Sequence, residues 1–191
     1  QVMTSDVVDK APGAPFVDIH RLPDKVLNFL LPSRYCESES FNQMAVEITA
    51  GKLLGYDQVA AIETWLRETI SYIPGSSDDP ISAIRVNQKQ SGVCRDLAHL
   101  GIALCRSISI PARLVVGYNY GLVPMDMHAW FEAYVGGRWY AFDATQEEMT
   151  PGYVAIGYGR DAADVAVYNQ FGPSVYPISQ DISVELAEAQ G

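Results

Sequence analysis

The spacing of apolar residues changes period near residue 110. Before it, apolar positions recur three or four apart. Ala61, Ile62, Trp65, Leu66 and Ile70 share one helical face behind Asp57. The spacing predicts a helix capped by Asp57 and running to about Ser71. From Val93 to Ile108, Leu97, Leu100, Leu104 and Ile108 form a stripe, with Ala98, Ile102 and Cys105 beside it. A stripe that wide predicts a helix buried on most sides. Ser91-Gly92 precede it and Pro111 follows. Shorter helices are expected over Asp24 to Leu31, over Phe41 to Ala50, and from Asp79-Pro80 through about Val86.

Beyond residue 110 the chain is β-rich. Ala112 to Tyr120 carries Leu114, Val115, Val116 and Tyr118. Met127 to Val135 and Arg138 to Phe142 flank Gly136-Gly137, which predicts a hairpin with a two-residue turn. Tyr153 to Tyr158 is a further strand candidate, and Ile182 to Leu186 a less marked one. Helices first and strands later imply an α+β fold with an antiparallel sheet. Residues 1–24, punctuated by Pro12, Gly13, Pro15 and Pro23, read as a lead-in segment. Residues 25–191 read as one domain, as the length of 191 residues allows.

Composition narrows the function classes. With 48% hydrophobic and 19% charged residues, a disordered chain is excluded. Thirteen basic residues against 23 acidic ones give a net charge of -10. Such a surface repels phosphate backbones, so nucleic acid is not an expected partner, whereas basic peptides are attracted. No apolar run approaches the ~18 residues of a membrane span. No basic segment followed by an apolar run opens the chain, so no signal peptide is expected. Cys36, Cys94 and Cys105 are odd in number and form no Cys-x-x-Cys pair, which favours a reducing, cytoplasmic setting. His20, His99 and His128 lack zinc spacing, and no Asp-x-Asp-x-Asp-Gly calcium loop is present. No metal or cofactor is expected.

One constellation carries chemistry. Cys94 sits in the first turn of the strongest helix, just after Gly92. Free N–H groups and the positive dipole end at a helix start favour a thiolate, the nucleophilic form. A cysteine there could equally be a small core filler. His128 begins a strand and Asp143 closes the next; each alone could be an ordinary strand-end residue. The hairpin register links these two. If Gly136 and Gly137 make the turn, Val135 faces Arg138, and counting outward Asp143 faces Trp130. His128 lies two residues from Trp130, hence on the same face. His128 and Asp143 are then diagonal neighbours, at roughly 7 Å or less between Cβ atoms. A carboxylate there fixes the imidazole tautomer and leaves the other nitrogen for the thiol.

These residues lie in longer motifs. They are Gly92-Val93-Cys94-Arg95-Asp96-Leu97-Ala98-His99-Leu100, Ile110-Pro111-Ala112-Arg113 with Gly117-Tyr118, His128-Ala129-Trp130-Phe131-Glu132-Ala133-Tyr134 and Trp139-Tyr140-Ala141-Phe142-Asp143-Ala144-Thr145. Together with Leu31-Pro32-Ser33-Arg34-Tyr35-Cys36 and Gly159-Arg160-Asp161-Ala162-Ala163-Asp164-Val165, they resemble the core of bacterial transglutaminase-like proteins. The resemblance spans roughly residues 27 to 168; the family's Phe-Asp-Pro-Thr pattern departs at Ala144. It implies a papain-like core with a nucleophile helix packed on an antiparallel sheet. It also implies Cys94 as nucleophile, His128 as base and Asp143 as orienter. The reaction implied is acyl transfer on peptide or side-chain amide bonds through a thioester, hydrolysis being favoured over transamidation, with a peptide or protein as substrate. The alternative is a catalytically silent binding or scaffold module of the same fold.

The remaining residues are read more plainly. Asp96 is expected to cap the first turn or to bind Arg113, and His99 to be packed. Cys105 belongs to the core, and Cys36 to a loop, semi-buried and inert. Trp130 and Trp139 are packing aromatics that dry the site, and either could line an acyl-donor groove. The Cys94 N–H is one expected oxyanion donor; Gln88, Gln90 and Tyr118 are candidates for the second.

Overall fold

The computed structural model describes residues 2–76, 79–166 and 181–187. Its main elements are α1 (Asp24–Leu27), α2 (Asn42–Ile48), α3 (Tyr56–Thr69), β1 (Ser71–Tyr72), α4 (Ala83–Lys89), β2 (Ser91–Gly92), α5 (Cys94–Ser107), β3 (Ala112–Asn119), β4 (His128–Val135), β5 (Arg138–Phe142) and β6 (Tyr153–Gly159). Strands β3 to β6 form one antiparallel sheet in the order β5-β4-β3-β6, and β1 and β2 pair in parallel as a separate ribbon. The fold is α+β, as the change of period implies. Among the described residues, no helix is long and apolar enough to cross a membrane.

Helix α5 is the axis of the molecule. Leu97, Leu100, Ile102 and Leu104 are almost wholly buried, as are Leu114, Val116, Ala129, Phe131, Ala133 and Val135 on the sheet face it covers. Each large side chain so buried contributes about 1.5–3 kcal/mol. Gly101 sets the spacing: a Cβ there would lie 2.8 Å from the Phe131 ring and 3.1 Å from Leu66 of α3. The helix is thus pressed between α3 and the sheet, which is why its apolar stripe is so wide.

The hairpin has the register read from its turn. Gly136 and Gly137 both take positive φ, 59° and 88°, which a two-residue turn of this hand requires. Val135 pairs with Arg138 and Phe131 with Phe142. On the other side of β4, His128 pairs with Gly117 of β3. The end of β3, the start of β4, the end of β5 and the start of β6 therefore lie at one end of the sheet.

Several expected boundaries shift, each for a tertiary reason. Helix α3 starts at Tyr56, with Gly55 rather than Asp57 as its N-cap. Gly55 has φ 113°, and a Cβ there would meet the Ala14 carbonyl at 2.3 Å. The lead-in crosses at that point: the Phe16 N–H bonds Leu54 O, the Tyr56 N–H bonds Ala14 O and the Gly136 N–H bonds Pro15 O. Asp57 instead accepts the Gly13 N–H at 3.0 Å. Helix α4 begins at Ala83, whose N–H is taken by Tyr35 O at 2.8 Å, and not at Asp79-Pro80. Asp24 to Leu31 divides into α1 and a 3-10 turn, Asn28–Leu30. Ile182 to Leu186 forms no strand.

Candidate active site

Cys94 is the first residue of α5, where helix geometry leaves its N–H without an intrahelical acceptor. The turn before it is held from two sides. Asp96 accepts the Val93 N–H through Oδ2 at 3.2 Å and pairs with Arg95 through Oδ1 at 3.3 Å. The Ile73 N–H bonds Gly92 O at 2.9 Å, tying the β1 side to the same turn. Gly92 has no room for a side chain, since a Cβ would lie 2.7 Å from the Asp96 Cβ. Asp96 is thus the cap of this turn. Its other expected partner, Arg113, pairs with Glu132 at 2.7 Å and sits between the Trp139 and Tyr158 rings.

His128, at the first residue of β4, donates from Nε2 to Asp143 Oδ2 at 2.6 Å. Asp143 lies one residue past β5, so the diagonal relation expected from the hairpin is the one observed. The carboxylate is saturated. Oδ2 also accepts the Tyr153 hydroxyl at 2.7 Å, and Oδ1 accepts the Thr145 N–H and hydroxyl at 2.9 and 2.7 Å. From behind, Glu63 accepts the Asp143 N–H at 2.8 Å and pairs with Arg67, which bonds Gln146 O. His128 Nδ1 is buried and makes no hydrogen bond of full geometry. The Cys94 thiol acts on the imidazole from close by.

The electrostatics follow from these contacts. Burial alone would push His128 down, but the hydrogen bonds and charges of Asp143 and Cys94 outweigh it and raise the imidazole to about 10. Burial would raise Asp143; the bonds from His128, Tyr153 and Thr145 win and hold it below the usual carboxylate range. Burial and the Asp143 charge push Tyr153 up, so it stays a neutral donor. Burial also raises Glu63. A protonated imidazole beside a thiol, held by a carboxylate that stays ionised, can form a thiolate–imidazolium pair.

A cavity of about 790 Å³ opens in front of Cys94, between the β1–α4 loop and the β3–β4 loop. Its wall includes Tyr72, Arg95, Asn119, Leu122, Asp126 and Thr145. The structure thus brings Cys94, His128 and Asp143 together, but not every residue singled out in the sequence. Gln88 and Gln90 are exposed on and after α4, outside the cavity wall, and the Gln90 amide turns back to Asn87 O. Tyr118 is half-buried on β3 and does not line the cavity. Trp130 is buried behind the site, stacked on His128 with ring centroids 6.2 Å apart. Trp139 packs far away, against Phe29 and Tyr134. Cys105 is core, and Cys36 is fully rather than partly buried. Among the described residues, no group of three or more His, Cys, Asp and Glu side chains is placed to hold a metal ion.

Three residues that bond Asp143 escaped the sequence reading: Thr145, Tyr153 and Glu63. Thr145 carried a signal, since a hydroxyl two residues after an aspartate is a common turn partner. The others reach the site from separate elements and leave no local trace.

Residues 42–144 match the transglutaminase-like superfamily. The chain is 38% identical over 117 residues to an uncharacterized protein of Mycobacterium leprae, covering 56% of this chain and 42% of that one. It is 30% identical over 132 residues to an uncharacterized protein of Mycobacterium tuberculosis, covering 59% and 42%. The chain therefore spans about two fifths of the length of these relatives. Among solved structures, a candidate cysteine protease from Cytophaga hutchinsonii is 42% identical with a TM-score of 0.79, over 89% of this chain and 62% of that one. The periplasmic domain of TgpA from Pseudomonas aeruginosa shares the fold, with a TM-score of 0.50 and 21% identity, over 65% and 48% of the two chains.

Proposed function

The chain belongs to the transglutaminase-like superfamily, and from that premise we propose that it is a cysteine acyl-transfer enzyme that hydrolyses peptide or side-chain amide bonds. One observation carries the reading: the saturated Asp143 holds His128 by Nε2, so that Nδ1 is left toward Cys94 at the start of α5. The Cys94 thiolate attacks the amide carbonyl carbon, and the carbonyl π pair moves onto oxygen. Collapse of this adduct breaks the C–N bond as Nδ1–H protonates the leaving amine. Water then attacks the thioester, giving a proton to Nδ1, and the acid leaves from sulfur. Hydrolysis rather than transamidation is supported by the likeness to a candidate cysteine protease.

The test is a peptide-library screen with monodansylcadaverine present, comparing wild type with Cys94→Ala. New peptide termini without dansyl incorporation, made by the wild type alone, are the expected result. Dansyl incorporation in place of cleavage would overturn hydrolysis. Identical product profiles from the two proteins would point to the silent binding module instead.

A further inference from the structure

Acyl transfer at Cys94 needs two donors for the oxygen that becomes an anion, and the helix start supplies only one. We propose that the second is the phenol of Tyr72, which makes Tyr72 a catalytic residue; this rests on the acyl-transfer reading of Cys94. The placement comes from the β1–β2 ribbon. Tyr72 is the register partner of Gly92, two residues ahead of the nucleophile. Paired residues of adjacent strands project to the same face. At Gly92 that face is occupied by the first turn of α5, since a side chain there would run into Asp96. Tyr72 accordingly lines the same cavity as Cys94 and Val93.

The phenol is suited to donate. Partial burial, with repulsion from Cys94, Asp143 and Asp126, pushes it up to about 12, while 36% of the residue stays open to solvent. It therefore keeps its proton at any pH at which the enzyme would work. The rival donor in the cavity wall is Asn119, a buried amide at the end of β3. Alternation along β3 puts Asn119 on the face of Gly117, against Trp130 and hence on the imidazole side of the sulfur. That is the side of the leaving amine. Tyr72 instead comes from the ribbon whose other strand, through Gly92, leads directly into Cys94.

The experiment separates two reactions of one thiol. p-Nitrophenyl acetate acylates Cys94 through a tetrahedral adduct: the C–S bond forms, the carbonyl pair moves to oxygen, and its return expels p-nitrophenolate. Iodoacetamide alkylates the same sulfur by displacing iodide and builds no oxyanion. Tyr72→Phe keeps the ring, and its folding is checked by thermal unfolding. The expected result is a p-nitrophenolate burst slowed by about 10²–10³, with alkylation of Cys94 within twofold of wild type. Wild-type acylation by Tyr72→Phe overturns the proposal. So does an equal fall in both rates, or a loss seen in Asn119→Leu and not in Tyr72→Phe. A wild type whose Cys94 is neither acylated nor alkylated faster than in unfolded protein sinks the enzyme reading itself, and this proposal with it.

Discussion

The molecule holds two buried histidines, each with acid and thiol nearby, and they are tuned in opposite directions. His128 faces the Asp143 carboxylate and the Cys94 thiol and is raised to about 10. His99, on α5 itself, is lowered to about 4, chiefly by burial. Its partners are backbone groups: Nδ1 meets Ile81 O at 3.0 Å, and Nε2 accepts the Ala162 N–H at 3.2 Å. That acceptance fixes the neutral tautomer, with the proton on Nδ1. Tyr35 stacks flat on the ring. Its acidic neighbour Asp161 is turned away, taking the Tyr35 and Ala163 N–H groups. The Cys36 thiol, which shares Asp161 as a neighbour, is wholly buried and pushed up by that burial, as is Cys105 further along α5. A histidine, a thiol and an aspartate in one region are therefore not enough. What distinguishes the site is a direct carboxylate–imidazole bond and a thiol that solvent can reach.

The contrast breaks most sharply at the thiols. In native protein below pH 8, iodoacetamide should modify Cys94 essentially to completion while Cys36 and Cys105 stay unmodified until denaturant is added. Peptide mass spectrometry reads this directly; equal labelling of all three would erase the distinction. The next largest effect is at the orienter. Asp143→Asn removes the charge that raises His128, so the alkaline limb of kcat/KM should move to lower pH. Turnover should fall by about 10² or more, with the ~10⁴ of serine triads as a ceiling, because a thiol depends less on its orienter. A pH profile of the variant superimposed on that of the wild type would refute the assignment.

The smallest effect is on stability, and its sign differs between the two rings. His128 has a raised folded pKa, so its contribution is complete below about 6.5 and is lost as pH rises through about 10. His99 has a lowered one, so its contribution is complete above about 6.5 and is lost as pH falls through about 4. Each limb should amount to a few kcal/mol at most. Denaturant unfolding across this range should show His99→Gln flattening the acid limb alone and His128→Gln the alkaline limb alone. Loss of both limbs in either variant would mean that the two rings are one coupled system.

Much of this arrangement was legible in the chain because it is written locally. The apolar stripe from Leu97 to Ile108 marks α5, and Gly136-Gly137 fixes which residues face each other across the hairpin. What stayed hidden depends on contacts between distant segments. Asp57 has the residue type of a cap, yet Gly55 takes that place because Ala14 and Pro15 cross there. The two-residue pairing of β1 with β2 is too short to carry any period. Gln88 and Gln90 are close to Cys94 in sequence, but α4 ends with Gln90 in a left-handed conformation, and the Gln90 amide turns back on Asn87. Tyr153 enters from the far edge of the sheet, and nothing at position 153 announces a carboxylate ten residues earlier.

The close fit of Gly92 against Asp96 has a consequence for how such a chain drifts. A methyl group at position 92 meets the Asp96 Cβ, a fixed point on the helix rather than a flexible tip. Accommodating it means either unseating the cap on Val93 or shifting the strand that carries Tyr72. Both displace the first turn of α5, while the interior from Leu97 to Leu104 lies a turn further on and stays sealed. Under the acyl-transfer reading, a lineage that loses this glycine would keep its fold and lose the proposed chemistry. On that reading, position 92 is where a change could silence the site while Cys94, His128 and Asp143 all stay in place.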